Sequence, residues 1–337
     1  MTQYLIRRLL TAIPTLLVIS FVVFAILDLS PADPVGNLPL TIPPEVREQI
    51  RERLGANDPF LVKYVKWVRQ FLIDEPLNVL EKLTGTKLPG SEERIRYLSW
   101  QTRSPIIDLV VERLPQTLWV VGTAYVLSII IAVPIGVISA YKPYSIFDQI
   151  GTFLAMVGFS VPTFFTGLLF IIIFSVGLKW FPSIYDTTLK VTDVSSLGLQ
   201  LRQIFLPCLV LTLFFTAQLS RFTRSAMLDN LNQDYVRTAR AKGLSERHVV
   251  VAHALRNSLI PVVTLVALGI PAIFQGAIIT EQIFRVNGLG QLLILAIQGG
   301  DLPTVQALTF IFASLIVVFN VVADVLYALL DPRIAYS

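Results

Sequence analysis

Uncharged, mostly apolar stretches recur along the chain at residues 9–27, 114–141, 149–178, 204–220, 257–280 and 302–323. A helix needs about 20 apolar residues to cross the hydrocarbon core of a bilayer, so the pattern predicts six spanning helices, the fourth being the shortest. No strand-like alternation runs through these stretches, which argues against a membrane β-barrel. Pro14, Pro134, Pro162, Pro207 and Pro271 lie in or beside them; membrane helices tolerate proline where neighbours re-satisfy the freed backbone groups. The first stretch follows Arg7 and Arg8, is longer than a signal-peptide core and has no small-x-small cleavage site after it, so it reads as a retained span.

The polar segments between the spans differ in length and charge. Six crossings put both termini on one side, and Arg7 and Arg8 assign that side to the cytoplasm. Residues 221–256 then also face the cytoplasm, and they carry Arg221, Arg224, Arg237, Arg240, Lys242, Arg247 and Arg256. Residues 281–301, on the outside, carry only Arg285 as a base. Residues 31–113 form an external loop domain between the first two spans. Within it, Val46, Ile50 and Leu54 are spaced four apart before Gly55, and Asp58-Pro59 reads as a helix cap and first turn. Leu61, Val65, Val68 and Leu72 then form one apolar stripe, which either packs on the outer mouth or meets an incoming partner. Residues 74–103, with Pro76, Gly85, Pro89 and Gly90, read as irregular. The organisation expected is an N-terminus and first span at 1–30, the loop domain at 31–113, and a five-helix core at 114–337.

Composition agrees with the membrane reading: 54% of residues are hydrophobic and only 15% charged, against about 25% charged in soluble domains. The net charge of +4 is spread over short loops rather than one broad face, so nucleic acid is not an expected partner. Cys208 is the only cysteine; a thiolate metal centre cannot be built from it, and it reads as a small buried hydrophobe.

The polar stretch with most information is Asp234-Tyr235-Val236-Arg237-Thr238-Ala239-Arg240-Ala241-Lys242-Gly243-Leu244. Asp234 suits a helix N-cap and Gly243 the left-handed residue that ends a helix. The helix between them has about two turns, too short to be stable alone, so it must lean on something. Ala239 and Ala241 permit close approach, and Arg237, Arg240 and Lys242 supply charge at the rim. Ser245 can cap a second helix running through Val249 and Leu255 to Pro261 and into the fifth span. A basic loop that merely satisfies the positive-inside rule would share the composition.

The segment is similar to the coupling motif of ABC importer permeases, whose general form is Glu-Ala-Ala, three residues, then Gly. Ala239 and Gly243 match; Arg237 and Thr238 depart from it, as does Arg256 at the position of a later proline. These departures resemble the dipeptide/oligopeptide subfamily, as do Arg256-Asn257-Ser258-Leu259-Ile260-Pro261, Glu112 to Leu118, Ser160-Val161-Pro162-Thr163-Phe164, Gly288-Leu289-Gly290 and the tail Tyr327 to Arg333. Tyr4 to Leu9 and Pro31-Ala32-Asp33-Pro34 resemble the first of the two permeases in such systems. The resemblance covers nearly the whole chain except residues 74–103. It implies an all-α, six-span type I importer permease fold in a bacterial or archaeal cell membrane. It also implies a second homologous permease, one or two cytoplasmic ATPases gripping residues 235–244, and an external binding protein that delivers peptides or similar solutes (nickel chelates and oligosaccharides among them). ATP and magnesium would then sit on the ATPases, with no cofactor or metal on this chain. Ser160, Pro162, Thr163 and Phe164 are candidates for the translocation path, as against simple helix packing at Gly158 and Gly167.

Catalytic chemistry has little to work with. Gly85-Thr86-Lys87-Leu88-Pro89-Gly90-Ser91 lacks the lysine of a phosphate loop and holds a proline in the cradle. His248 and His253 are five apart, on different faces of an α-helix. Intramembrane ionisable groups, which ion-driven transport needs, reduce to Asp324 in the last span, while Glu281 falls just past the fifth and reads as interfacial. A self-sufficient secondary transporter or channel is the alternative function, and a scaffold or receptor a third.

Overall fold

The computed structural model describes residues 2–30, 43–53, 57–91, 94, 96–275 and 277–330. The expected helix stop at Gly55 and the segments 31–34 and 331–333 fall outside these residues. Among the described residues helices dominate, with one β-bridge, Leu98 to Pro105. Among the described residues, five helical stretches are long and apolar enough to cross a membrane: Leu10–Asp28, Ile106–Tyr141, Val194–Leu231, Glu246–Phe274 and Leu302–Leu326. A sixth crossing arises if a bent pair counts as one.

In chain order the helices are α1 (Thr2–Asp28), α2 (Pro44–Arg53), α3 (Phe60–Arg69), α4 (Glu75–Thr84), α5 (Ile106–Thr117), α6 (Thr123–Tyr141), α7 (Ile146–Ser160), α8 (Thr163–Phe170), α9 (Val194–Leu231), α10 (Asp234–Ala241), α11 (Glu246–His248), α12 (Arg256–Gln275), α13 (Ile278–Phe284), α14 (Leu289–Gln298) and α15 (Leu302–Leu330). The π-helical turns Gln70–Asp74, Leu118–Gly122, Ile171–Gly177 and Val249–Leu255 join or extend them.

The backbone forms two compact units. One comprises Leu10–Leu114 with Leu292–Val317. Its core is aromatic: Trp67 stacks on Phe71 at 5.5 Å, and Phe24 and Phe310 each lie within 5.7 Å of Trp67. Polar staples hold the loop before α5. Asp301 accepts from the Trp100 amide at 2.9 Å and from Ser99 and Thr304, while buried Glu75 accepts from the Tyr97 amide at 2.6 Å. Several loop expectations change here. Residues 75–84 are helix, continuing α3 through the π turn Gln70–Asp74, and Pro76 stands where that wider turn gives way to α4. Gly85, at φ +67°, ends that helix. Pro59 rather than Asp58 occupies the cap of α3, without a side-chain bond, and Asp58 pairs with Lys66 instead. The stripe that packs inward on α3 is Tyr64, Trp67 and Phe71, whereas Leu61, Val65 and Leu72 point outward.

The other unit comprises Met1–Leu9, Pro115–Gln291 and Val318–Ser337. Here α6 lies hard against α9: a Cβ on Gly136 would stand 2.6 Å from that of Thr223 and 2.8 Å from the Ser220 carbonyl oxygen. α6 also reaches α12, where the Tyr125 hydroxyl donates to the Val266 carbonyl at 2.7 Å and covers Gly269. Cys208 is buried in this core and donates to the Val120 carbonyl at 3.2 Å. The fourth span, expected to be the shortest, is the 38-residue α9. The polar residues around its apolar centre are helical too, started by a capping box between Asp193 and Ser196. The fifth span stops near Phe274, and Thr280 belongs to the separate α13.

The third span is broken rather than straight. α7 and the α8 helix with its π extension meet at 100°. Pro162 has no N–H to continue the ladder, and Val161 before it is extended (φ −81°, ψ 124°), as the residue ahead of a proline prefers. Asp324 in α15 forms an ion pair with Arg8 of α1 at 3.1 Å.

Candidate functional site

Residues 232–275 build the candidate site. α9 ends at Leu231, a two-residue turn follows, and α10 runs from Asp234 to Ala241. Val236 is fully buried and Ala239 is 5% exposed. Both enter a cluster with Ala140 of α6, Met227 and Leu231 of α9, and Val249, Val250 and Ala254 of the following π turn. This cluster is what stabilises a helix too short to persist alone. Tyr235, Arg237, Thr238, Arg240, Ala241, Lys242, Gly243 and Leu244 are exposed, so one side of the short helix is anchored and the rest is presented.

Local details differ from expectation in four respects. Gln233 holds the cap position without a side-chain bond, and Asp234 is the first helical residue. Its carboxylate still complements the helix N-terminus and accepts from Arg237 at 3.4 Å. Ala241 is exposed, so only Ala239 serves close packing. Ser245 sits at the next cap position with no side-chain bond. His248 and His253 are neighbours rather than on different faces: their rings meet edge to face at 5.6 Å, because the π turn between them brings residues five apart together.

Gly243 adopts φ +77° with no atom within 4 Å of a built Cβ; its requirement is conformational, not steric. Across the turn, the Arg240 guanidinium donates to the Glu246 carboxylate at 2.8 and 3.2 Å. That bond raises the arginine pKa further and braces α10 against the helix that becomes the fifth span.

A second brace lies at the start of α7, and sequence reasoning missed it. Arg224 of α9 donates two bonds to Asp148, at 2.6 and 2.7 Å. The Asp148 side chain is 3% exposed and also accepts from the Tyr144 amide at 2.8 Å, while Ser145 caps the same helix. The signal was Ser145 three residues before Asp148, a capping-box spacing ahead of an apolar run. Arg224 gave none, being one base of many in its loop.

Ser160, Pro162, Thr163 and Phe164 sit at the vertex of the 100° bend; Thr163 is half-buried and the other three are exposed. The flanking glycines are packing positions. A Cβ on Gly158 would lie 3.3 Å from that of Ala217, and one on Gly167 3.3 Å from the Phe284 ring.

Glu281 is fully buried within the protein. It accepts from the Thr117 hydroxyl at 3.0 Å and the Gln291 amide at 3.0 Å, while Thr117 accepts from the Leu289 amide at 2.8 Å. Gly288 and Gly290 have no room for a Cβ beside this carboxylate, which accounts for the Gly288-Leu289-Gly290 motif. Among the described residues no three His, Cys, Asp or Glu side chains gather as a metal site.

Residues 132–336 match the family model described as the binding-protein-dependent transport system inner membrane component. Residues 1–121 match the model for the N-terminal part of such membrane components. The oligopeptide transport system permease protein AppB of Bacillus subtilis is 40% identical, with all of both chains covered. A putative peptide permease protein of Brucella suis is 36% identical over 99% of each chain. The glutathione transport system permease protein GsiC of Salmonella paratyphi A is 34% identical over the whole of both. With its bundle of apolar helices, the chain therefore belongs to the binding-protein-dependent transport system inner membrane components, as a membrane-spanning permease subunit of an ABC importer.

Proposed function

We propose that this permease carries peptides or closely related solutes and forms half of the pathway beside a second, homologous permease. An external binding protein delivers the solute, and cytoplasmic ATPases hold the ATP and magnesium. Residues 235–244 are the grip for those ATPases. The observation that carries this reading is the construction of α10: two small apolar side chains, Val236 and Ala239, anchor it, while a face bearing Arg237, Arg240 and Lys242 is exposed. Because α9 and the α11–α12 helix are both spanning, and Arg240–Glu246 braces the turn between them, a push on α10 is delivered to two spans at once. Arg224–Asp148 carries the displacement on to α7 and so to the bend at Ser160, Pro162, Thr163 and Phe164, which we assign to the translocation path. Both termini and α10 then face the cytoplasm, in keeping with the basic residues of 221–256. The peptide assignment rests on the names of the full-length relatives.

The nearest phosphate-loop look-alike spends Gly85 on ending α4, and the next helix starts only at Ile106, so no helix N-terminus faces that loop. The test is purification from the native membrane in mild detergent, followed by mass spectrometry. A second six-span permease with one or two ATPases is the expected company. Recovery of the chain alone or as a homo-oligomer, under conditions that keep known ABC complexes whole, would overturn the proposal.

A further inference from the structure

The stretch from α3 through the π turn Gln70–Asp74 carries apolar side chains on two sides, with the exposed Lys66 and Arg69 on the outer one. Tyr64, Trp67 and Phe71 face the aromatic core of their unit. On the other side Leu61 is 65% exposed, Val65 64%, Ile73 53% and Leu72 39%. Lys66 and Arg69 are exposed beside this stripe, Lys66 pairing with Asp58; a long basic side chain can cover apolar surface with its stem while its charge reaches out to water.

The contacts of the inward side give its depth. Tyr64 donates to or accepts from Ser20 at 2.8 Å, and Trp67 lies on Phe24 at 5.7 Å. Both partners belong to α1, whose apolar span ends at Asp28. At 1.5 Å per residue, Phe24 and Ser20 lie about 6 and 12 Å inside that end. α15 gives the same answer independently. Phe310 touches both Trp67 and Phe71, and it lies about 12 Å inside the Leu302 end of its span. One leaflet of hydrocarbon is about 15 Å thick. Lys63 fits this depth: although its neighbour Tyr64 reaches Ser20, its ammonium group extends back to pair with Asp28 at the end of the span, as a lysine rooted in lipid does. The outward stripe is also continuous with the bare side of α1. Only 11% of the α1 span is buried within the protein, and its half-exposed Phe21 packs edge-on against Phe60 and Tyr64.

We infer that α3 and the π turn after it lie inside the bilayer, with Leu61, Val65, Leu72 and Ile73 against the acyl chains of the leaflet at the Asp28 end. The segment that reads as part of an aqueous loop is a lipid-embedded half-span. It anchors the first span and the start of the last on their lipid side. The inference rests on the chain spanning a membrane and is independent of how α10 couples to a partner.

The test uses the assembled transporter in liposomes. With Cys208, the only native cysteine, replaced by alanine, single cysteines at Val65, Leu72 and the exposed loop residue Lys87 are labelled with a nitroxide. Collision with dissolved oxygen is compared with collision with a water-soluble nickel chelate, and ATP-driven uptake confirms that each labelled complex is folded. Labels at 65 and 72 are expected to favour oxygen over the chelate several-fold, with the opposite preference at 87. Equal access of the chelate to 65, 72 and 87 would place the stripe in water and overturn the inference. Exclusion of both reagents at 65 and 72 would overturn it equally, by assigning the stripe to a protein partner.

Discussion

Gly243 shows how one residue can matter without touching anything. Its φ of +77° is what a side chain resists, since its surroundings are open. Valine there is expected to cost roughly 1–2 kcal/mol locally and to tilt or fray the end of α10. Asparagine, which tolerates the left-handed region, is expected to retain most function. ATP-driven uptake set against permease abundance in the membrane checks this; normal uptake by Gly243→Val would remove the glycine from the mechanism. The Asp148–Arg224 pair makes an asymmetric prediction. Arg224→Ala strands a carboxylate that is 3% exposed and should destabilise by about 3 kcal/mol. Asp148→Ala leaves an arginine that is 27% exposed and can turn to water, so the loss should be nearer 1–2 kcal/mol. Thermal unfolding in detergent reads the difference, and equal losses would argue that burial is not what sets the cost.

Among the elements, α6 and α9 depend on close backbone approach. Gly136→Ala must push apart Cβ and carbonyl atoms now under 3 Å from the added methyl, an overpacking cost of about 1–3 kcal/mol. Gly198→Ala, on the facing helix α9 but in open space, should be neutral or slightly stabilising. Parallel melting curves of the two variants decide this, and indistinguishable curves would contradict the packing described. The broken third span is the other lesson at this level. Residues 149–178 carry no charge, so hydropathy reads them as one span; Val161-Pro162 turns them through 100°. The proline was visible in the sequence, but prolines 14, 134, 207 and 271 lie inside helices that continue past them. Whether a proline breaks a helix depends on whether neighbours compensate its missing bond.

For the molecule as a whole, the energy source separates the readings of its function. Intramembrane charge is scarce, and Asp324 is already paired with Arg8, so a proton- or sodium-driven cycle has few groups to work with. Uptake into liposomes carrying the full complex should stop when ATP is withheld and continue when the proton gradient is collapsed. The reverse outcome would return the chain to the self-sufficient transporters.

Much of this was determined along the chain. Long uncharged runs require helices wherever the solvent is lipid, because every backbone group must then be satisfied internally; the spans follow from that with little help from context. The short helix 234–241 was also legible, since Gly243 and the polar residues before it are local signals. Three features needed the tertiary structure. Which side of α3 faces inward was decided by aromatic partners on α1 and α15, and both of its stripes are hydrophobic, so periodicity alone could not rank them. The burial of Glu281 depended on Thr117 and two glycines far apart in sequence. Asp148 found Arg224 across 76 positions. Local pattern fixes how a segment folds on itself, but pairing between distant segments depends on the geometry of the packed helices.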